Sequence, residues 1–191
     1  MAFIGMRHPV VAKINTETEG SAITYDAGMV LGKAISADIN WTRNDNPLYA
    51  DDVIAEDDNG ITGGSIEFGA DDVLDDVRAY MLGVKAVTAQ SATEYETTEE
   101  GAPYVGFGYI RVRRKNGATT YQAIWYHKVQ FGETNESAQT KGQSIEWQTP
   151  TLTGRIMGVR NDNSGLANYR RYANFDTPAA AETWLNGKAG L

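Results

Sequence analysis

The sequence predicts a mainly β fold, α+β by count: a β-sandwich or partial barrel with one flanking helix, a long hairpin arm and a short C-terminal helix. Three observations predict it. The first is the stretch Tyr104 to Phe131, YVGFGYIRVRRKNGATTYQAIWYHKVQF, centred on Asn116-Gly117. That dipeptide suits a type I′ turn, which needs positive φ at both central residues. The second is composition: 20 glycines separate short runs rich in Ile, Val, Thr and Tyr, as in a chain of many strands and turns. The third is helix content confined to two stretches, Asp71 to Leu82 and a capped start at Thr177-Pro178. With 191 residues, 41% of them apolar, the chain reads as one domain, 1–191, with a sizeable core.

Taken in order, Arg7 to Ile14 reads as a strand with Pro9 near its start, where the missing N–H is tolerated. Ala22 to Tyr25 reads as a short strand. Met29 to Trp41 reads as a longer one, with Ile35, Ala37, Ile39 and Trp41 on one face. Thr42 to Asn59 is polar, acidic and long for a connection, and is read as a loop or arm at about 42–60. Ile61 to Phe68 returns as a strand. Asp71 is expected to cap the first helix, whose stripe is Val73, Leu74, Val77, Tyr80 and Met81, with Gly83 as its left-handed stop. Glu94 to Gly101 reads as an acidic linker.

In the central hairpin, the turn pairs Lys115 with Ala118, and hence Val112 with Tyr121, Ile110 with Ala123, Gly108 with Trp125 and Gly106 with His127. One face then carries Ile110, Val112, Tyr121, Ala123, Trp125 and Val129. The other carries Phe107, Tyr109, Arg111, Gln122, Ile124, Tyr126 and Lys128. Both faces need cover, one from the chain's own core and the other from a second copy of the protein. After a polar turn at Glu133 to Ser137, Gln139 to Val159 reads as one or two strands anchored by Ile145, Trp147, Leu152 and Ile156, with Pro150 at an edge or bend. Leu166 to Phe175 is a further strand. Thr177 caps the last helix and Pro178 takes its first position.

The net charge of −8 argues against a protein that grips nucleic-acid phosphate over its surface. The charge is unevenly spread. Positions 45–102 hold fifteen acidic residues against two basic ones, Arg78 and Lys85, whereas positions 103–160 hold eight basic against three acidic. That split suits head-to-tail association, acidic stretch to basic stretch. There is no cysteine, hence no disulfide framework and no thiolate chemistry. No apolar run approaches membrane-spanning length, and MAFIGMRHPV does not read as a signal peptide.

Catalytic parts are scarce. His127 alternates with Trp125 and Val129 and reads as a packed histidine; His8 has no metal-ligand spacing around it. Gly28 to Ala34 lacks the length and the Ser or Thr of a phosphate loop. Glu56 to Gly60 resembles a fragment of a calcium loop, but the first and twelfth positions fall on Ala55 and Ile66. No cofactor or metal is expected, and the chain is read as a non-enzyme.

Three stretches resemble a known family: Ile39 to Gly69 (INWTRNDNPLYADDVIAEDDNGITGGSIEFG), Ala102 to Lys115 (APYVGFGYIRVRRK) and Phe131 to Gly154 (FGETNESAQTKGQSIEWQTPTLTG), with Gly5 to Thr18 and Phe175 to Leu191 also fitting. Together they resemble the major tail protein, or tail-tube protein, of long-tailed non-contractile bacteriophages of Gram-positive bacteria. The resemblance implies a β-sandwich with a flanking helix, six copies closing into a ring around a continuous inner β-barrel, and rings stacking into a tube in the virion. DNA would pass through the lumen without specific binding, and the other partners would be tape-measure, initiator and terminator proteins of the tail. Unlike some members of that family, the chain is expected to carry no immunoglobulin-like addition after the last helix.

On this reading Leu48, Tyr49, Asp51, Asp52, Val53, Ile54, Asp57 and Asp58 belong to an axial stacking arm. Arg111, Arg113, Arg114 and Lys115 form its basic counter-surface. The rival readings are a carbohydrate- or cell-surface-binding module stacking sugars on Trp41, Tyr49, Trp125 or Tyr126, a hydrolase using carboxylates of the acidic loop, and the tube of a tail-derived bacteriocin.

Overall fold

A computed structural model describes residues 2–88, 93–132 and 149–191, with Tyr49 and Ala50 described in their backbone only. Strands account for more than half of the described residues. The strands are β1 (Ala2–Thr16), β2 (Thr24–Tyr25), β3 (Met29–Val30), β4 (Ala34–Arg43), β5 (Pro47–Ala50), β6 (Val53–Asp57), β7 (Ile61–Ala70), β8 (Lys85–Thr88), β9 (Thr93–Glu96), β10 (Tyr104–Lys115), β11 (Ala118–Gly132), β12 (Thr151–Met157) and β13 (Arg170–Phe175). The helices are α1 (Asp75–Leu82) and α2 (Pro178–Ala189). Nine strands form one antiparallel sheet in the order β2-β1-β10-β11-β12-β7-β4, with β3 beside β1 and β13 beside β11. The sheet does not close into a barrel.

The central hairpin forms as its turn residues dictate. Asn116 and Gly117 take φ values of 50° and 84°, and the pairs Lys115–Ala118, Val112–Tyr121, Ile110–Ala123 and Gly108–Trp125 all form. The expected Gly106–His127 pair does not. A register shift between Val105 and Phe107 pairs Val105 with Val129, so β11 carries one extra residue there. A bulge reverses the alternation beyond it. Val129 therefore joins Phe107 and Tyr126 on the opposite face from Trp125, not the face that strict alternation predicts.

Both faces of the hairpin are covered from within the chain. On one side Phe68, Phe107, Tyr109, Tyr126 and Phe131 form the main core with Val77 and Met81 of α1. On the other side α2 lays Ala181, Leu185 and Ala189, spaced four apart, against Val10, Ile110, Ala123 and Trp125. No second copy is needed to bury that face, contrary to the sequence expectation.

Other differences have local causes. β1 begins well before Pro9, which sits mid-strand; a bulge between Arg7 and Val10, with His8 at φ 54°, absorbs the proline. The expected strand Met29 to Trp41 breaks into β3 and β4 at Gly32, where φ is 35°. A second bulge between Ala34 and Ser36 turns Ile35 outward, leaving Ala37, Ile39 and Trp41 to face the core. α1 starts at Asp75, and its cap position, Leu74, offers no side-chain acceptor and stays exposed. Asp71 is occupied elsewhere: its carboxylate accepts from the backbone N–H of Lys33 at 2.6 Å and of Asp72 at 2.9 Å. The expected linker at 94–101 begins as β9, paired with β8. Ile145, Trp147 and the turn at 133–137 lie outside the described residues.

Two substitutions test this packing. Leu185→Ala should cost about 2–5 kcal/mol in chemical denaturation, because α2 would leave a cavity over Trp125. Thr177 Oγ1 accepts from the Ala180 N–H at 3.3 Å, so Thr177→Ala should cost about 1 kcal/mol in the same assay.

Candidate assembly surfaces

The acidic stretch is a second hairpin, not a loop. β5 and β6 pair with one another as a separate two-stranded sheet. Asp51 and Asp52 form its turn, with φ values of 51° and 63°. Both are in the left-handed region, where a two-residue hairpin turn needs them and where aspartate is tolerated at a modest cost. The Asn-Gly chemistry of residues 116–117 would meet the same need at less cost, but would place no charge there. Asn44 Nδ2 donates to Asp58 Oδ2 at 2.9 Å, and the Asn44 N–H donates to the Gly60 carbonyl at 2.7 Å; these bonds fasten the base of the hairpin.

Leu48, Val53 and Ile54 are 59%, 63% and 58% exposed, against a general rule that large apolar side chains on a paired strand find cover. The side chain of Tyr49 lies outside the described residues. Asp51 and Asp52 stand at the tip and Asp57 and Asp58 at the base, roughly 16 Å or more apart at strand rise. The four do not converge as a cation cage, and no cluster of three or more metal-ligating residues occurs among the described residues.

The expected basic surface divides in two. Arg111 and Arg113 lie on the same face of β10 as Tyr109 and are half-buried. Arg111 Nη2 donates to Tyr109 Oη at 2.8 Å; Arg113 Nη2 donates to Gln122 Oε1 at 2.7 Å and Nη1 to Asn174 Oδ1 at 3.3 Å. Both guanidiniums also sit over the Phe3 ring, at 5.1 and 5.0 Å. Arg114 and Lys115, at the end of the strand beside the turn, are exposed. Alternation turns Arg114 to the other face, whereas Lys115 shares the face of Arg113 and is exposed because it ends the strand beside the turn.

Of the aromatic platforms of the carbohydrate-binding reading, two are buried and Trp41 is half-buried. Trp125 and Tyr126 are fully buried, and Trp41 packs against Tyr126 and Tyr169 beneath the Arg170 guanidinium.

His127 is a packed histidine, as its alternation predicts, and lies behind α2. It borders a cavity of about 320 Å³ shared with Tyr25, Arg171 and Lys188. Burial, then the positive charges of Arg171 and Lys188, lower its pKa to about 4. Tyr25 Oη donates to the His127 carbonyl at 2.9 Å, and burial raises that hydroxyl to about 12, which keeps it a donor. A second cavity of about 320 Å³ adjoins Arg111 and Arg113. Sequence reasoning missed it because its third arginine, Arg170, comes from a distant strand.

No protein-family model and no curated protein matches the chain.

The histidine gives a pH test. The folded chain resists protonating His127 until about pH 4, whereas the unfolded chain takes that proton near 6.5. Stability is therefore expected to fall as pH drops through that window, by on the order of 2–3 kcal/mol from this residue. His127→Gln should flatten this part of the profile in urea denaturation from pH 7 to 4.

Proposed function

We propose that this chain is a structural subunit that assembles with copies of itself into stacked rings, of the kind that form the tail tube of a long-tailed phage. One observation carries the reading. The β5–β6 hairpin projects three exposed apolar side chains and two acidic tip residues, and among the described residues it pairs only with itself. Val53 and Ile54 are adjacent and face opposite sides, so the hairpin exposes apolar side chains on both faces, which favours cover by other protein surfaces. Exposed Arg114 and Lys115, at the end of a different hairpin, supply the opposite charge on the same molecule. Acid on one surface and base on another favour a head-to-tail contact, which extends when it does not close.

The lateral contact that closes each ring falls to a sheet edge. Among the described residues β4 pairs only with β7, leaving a ten-residue strand with a free edge. Pairing that edge with a neighbouring copy removes it by closure. The net charge of −8 suits a conduit along which DNA phosphates slide without being gripped. Catalysis has no part in this role.

Negative-stain electron microscopy of concentrated protein tests the proposal. Uniform hollow tubes or rings are expected. Asp51→Lys with Asp52→Lys should abolish stacking, and so should Arg114→Glu with Lys115→Glu, while mixing the two variants restores mixed assemblies. Replacing Leu48, Val53 and Ile54 with Ser should also prevent stacking yet leave subunit stability within about 0.5 kcal/mol per substitution, since these side chains are already exposed. Assembly that survives all three changes would remove the hairpin from the interface.

A further inference from the structure

The arginine cleft on the core side of β10, β11 and β13 has a use that assembly does not assign. Its geometry follows from strand register. Arg111 pairs with Gln122, and Gln122 with Asn174, in one row across the three strands. Tyr109, Ile124 and Tyr172 make the next row, then Phe107, Tyr126 and Arg170. All these residues share one face by alternation. The row furthest from the core is thus polar, and Arg113 reaches into it from two residues further along β10 to bond Gln122 and Asn174. Arg170 enters from the other side, its guanidinium 5.8 Å from the Tyr172 ring. Arg111 and Arg170 stand two strand spacings apart across the sheet, about 10 Å, and two rows apart along it, about 13 Å, and their long side chains lean toward one another over Ile124 and Tyr172. Their side chains therefore flank a concavity of about 320 Å³ floored by Ile124.

Three guanidiniums share this space, and none takes part in an ion pair recorded among the described residues. Arg113 Nε is buried and has no hydrogen-bond partner. The donors that are engaged bond neutral acceptors, the Tyr109 hydroxyl and two side-chain amides, which orient the guanidiniums without neutralising them. Three like charges lining one recess with no counter-charge among them favour an anion there. Guanidinium forks pair best with planar or tetrahedral oxyanions. Donors converging from both sides of β11 and from the end of the cleft call for acceptor oxygens in several directions. A tetrahedral dianion supplies them, whereas a lone carboxylate presents two oxygens in one plane.

We propose that this cleft is a binding site for a phosphate group, held between Arg111, Arg113 and Arg170. The site is formed within one subunit and does not depend on ring assembly. Calorimetric titration of the purified protein with inorganic phosphate, at constant ionic strength, tests it. Saturable binding is expected, weakened about tenfold or more by Arg111→Gln and by Arg170→Gln. Arg155→Gln, an exposed arginine on β12 outside the cleft, should leave binding unchanged. Arg170→Lys keeps the charge and loses the fork, so it should bind more weakly than the wild type; it also serves if a glutamine variant misfolds.

A short DNA duplex added to the phosphate-bound protein separates two sources of the group. Displacement of phosphate assigns the cleft to phosphodiesters, and its retention assigns it to the free anion; either result supports the site. Absence of saturable binding, or binding that survives both glutamine substitutions, overturns it. So does a cleft indifferent to phosphate whose Arg170→Gln variant loses self-association as Asp51→Asn with Asp52→Asn does, since that result gives the arginines to the carboxylates of a second copy.

Discussion

The indole of Trp125 occupies the space where side chains at positions 106 and 108 would stand. A β-carbon at Gly108 would lie 2.7 Å from Trp125 Cε3 and 2.6 Å from Leu185 Cδ1, and one at Gly106 would meet the same indole and Tyr25. The two glycines let a large ring lie against the main chain of β10. The ring in turn makes a flat apolar floor on which α2 packs, and Tyr25 meets it edge-on with centroids 5.2 Å apart. Because this face is sealed by α2, the opposite face of the same hairpin is free to serve as the wall of the main core. The longest hairpin is thereby held on both sides, and β12 and β13 can pair along its outer edge.

Much of this was legible in the sequence where one residue type has one conformational use. Asn116-Gly117 marks its turn, Thr177-Pro178 its helix start and Gly83 its helix stop, and each stands where its chemistry places it. Gly108 opposite Trp125 followed from counting pairs outward from the turn, whereas Gly106, expected opposite His127, lies against the same indole and Tyr25. What was not legible involves residues whose role depends on a distant partner. Nothing near Asp71 says that its carboxylate will serve the Lys33 amide instead of a helix start. The extra residue in β11 is invisible to strict alternation, so Val129 changes face. Two adjacent aspartates carry no strong turn signal, and the arm therefore read as a loop although it is a hairpin.

The candidate surfaces were legible to a similar degree and for a similar reason. Composition alone separates an acidic segment from a basic one. It does not say which charges on β10 face outward, because that depends on the side to which each successive residue turns and on where the strand ends. Arg111 and Arg113 turn toward Tyr109 and Gln122 and become part of a walled recess, while Arg114 and Lys115 stay in solvent. Arg170, sixty residues downstream of this run on a rough count, completes the recess only because β13 pairs with β11.

The position of α2 along the chain bears on how the protein folds during synthesis. Every strand that α2 covers precedes it, so during synthesis the hairpin leaves the ribosome with one face sealed by the strands around it and the Trp125 face still bare. Elongation at about 5–20 residues per second leaves the growing sheet exposed in this state for several seconds. An exposed sheet face of that kind is sticky toward other nascent chains. The arrival of Ala181, Leu185 and Ala189 ends the exposure, so α2 acts as a closing latch: only a chain translated through its last helix buries the Trp125 face.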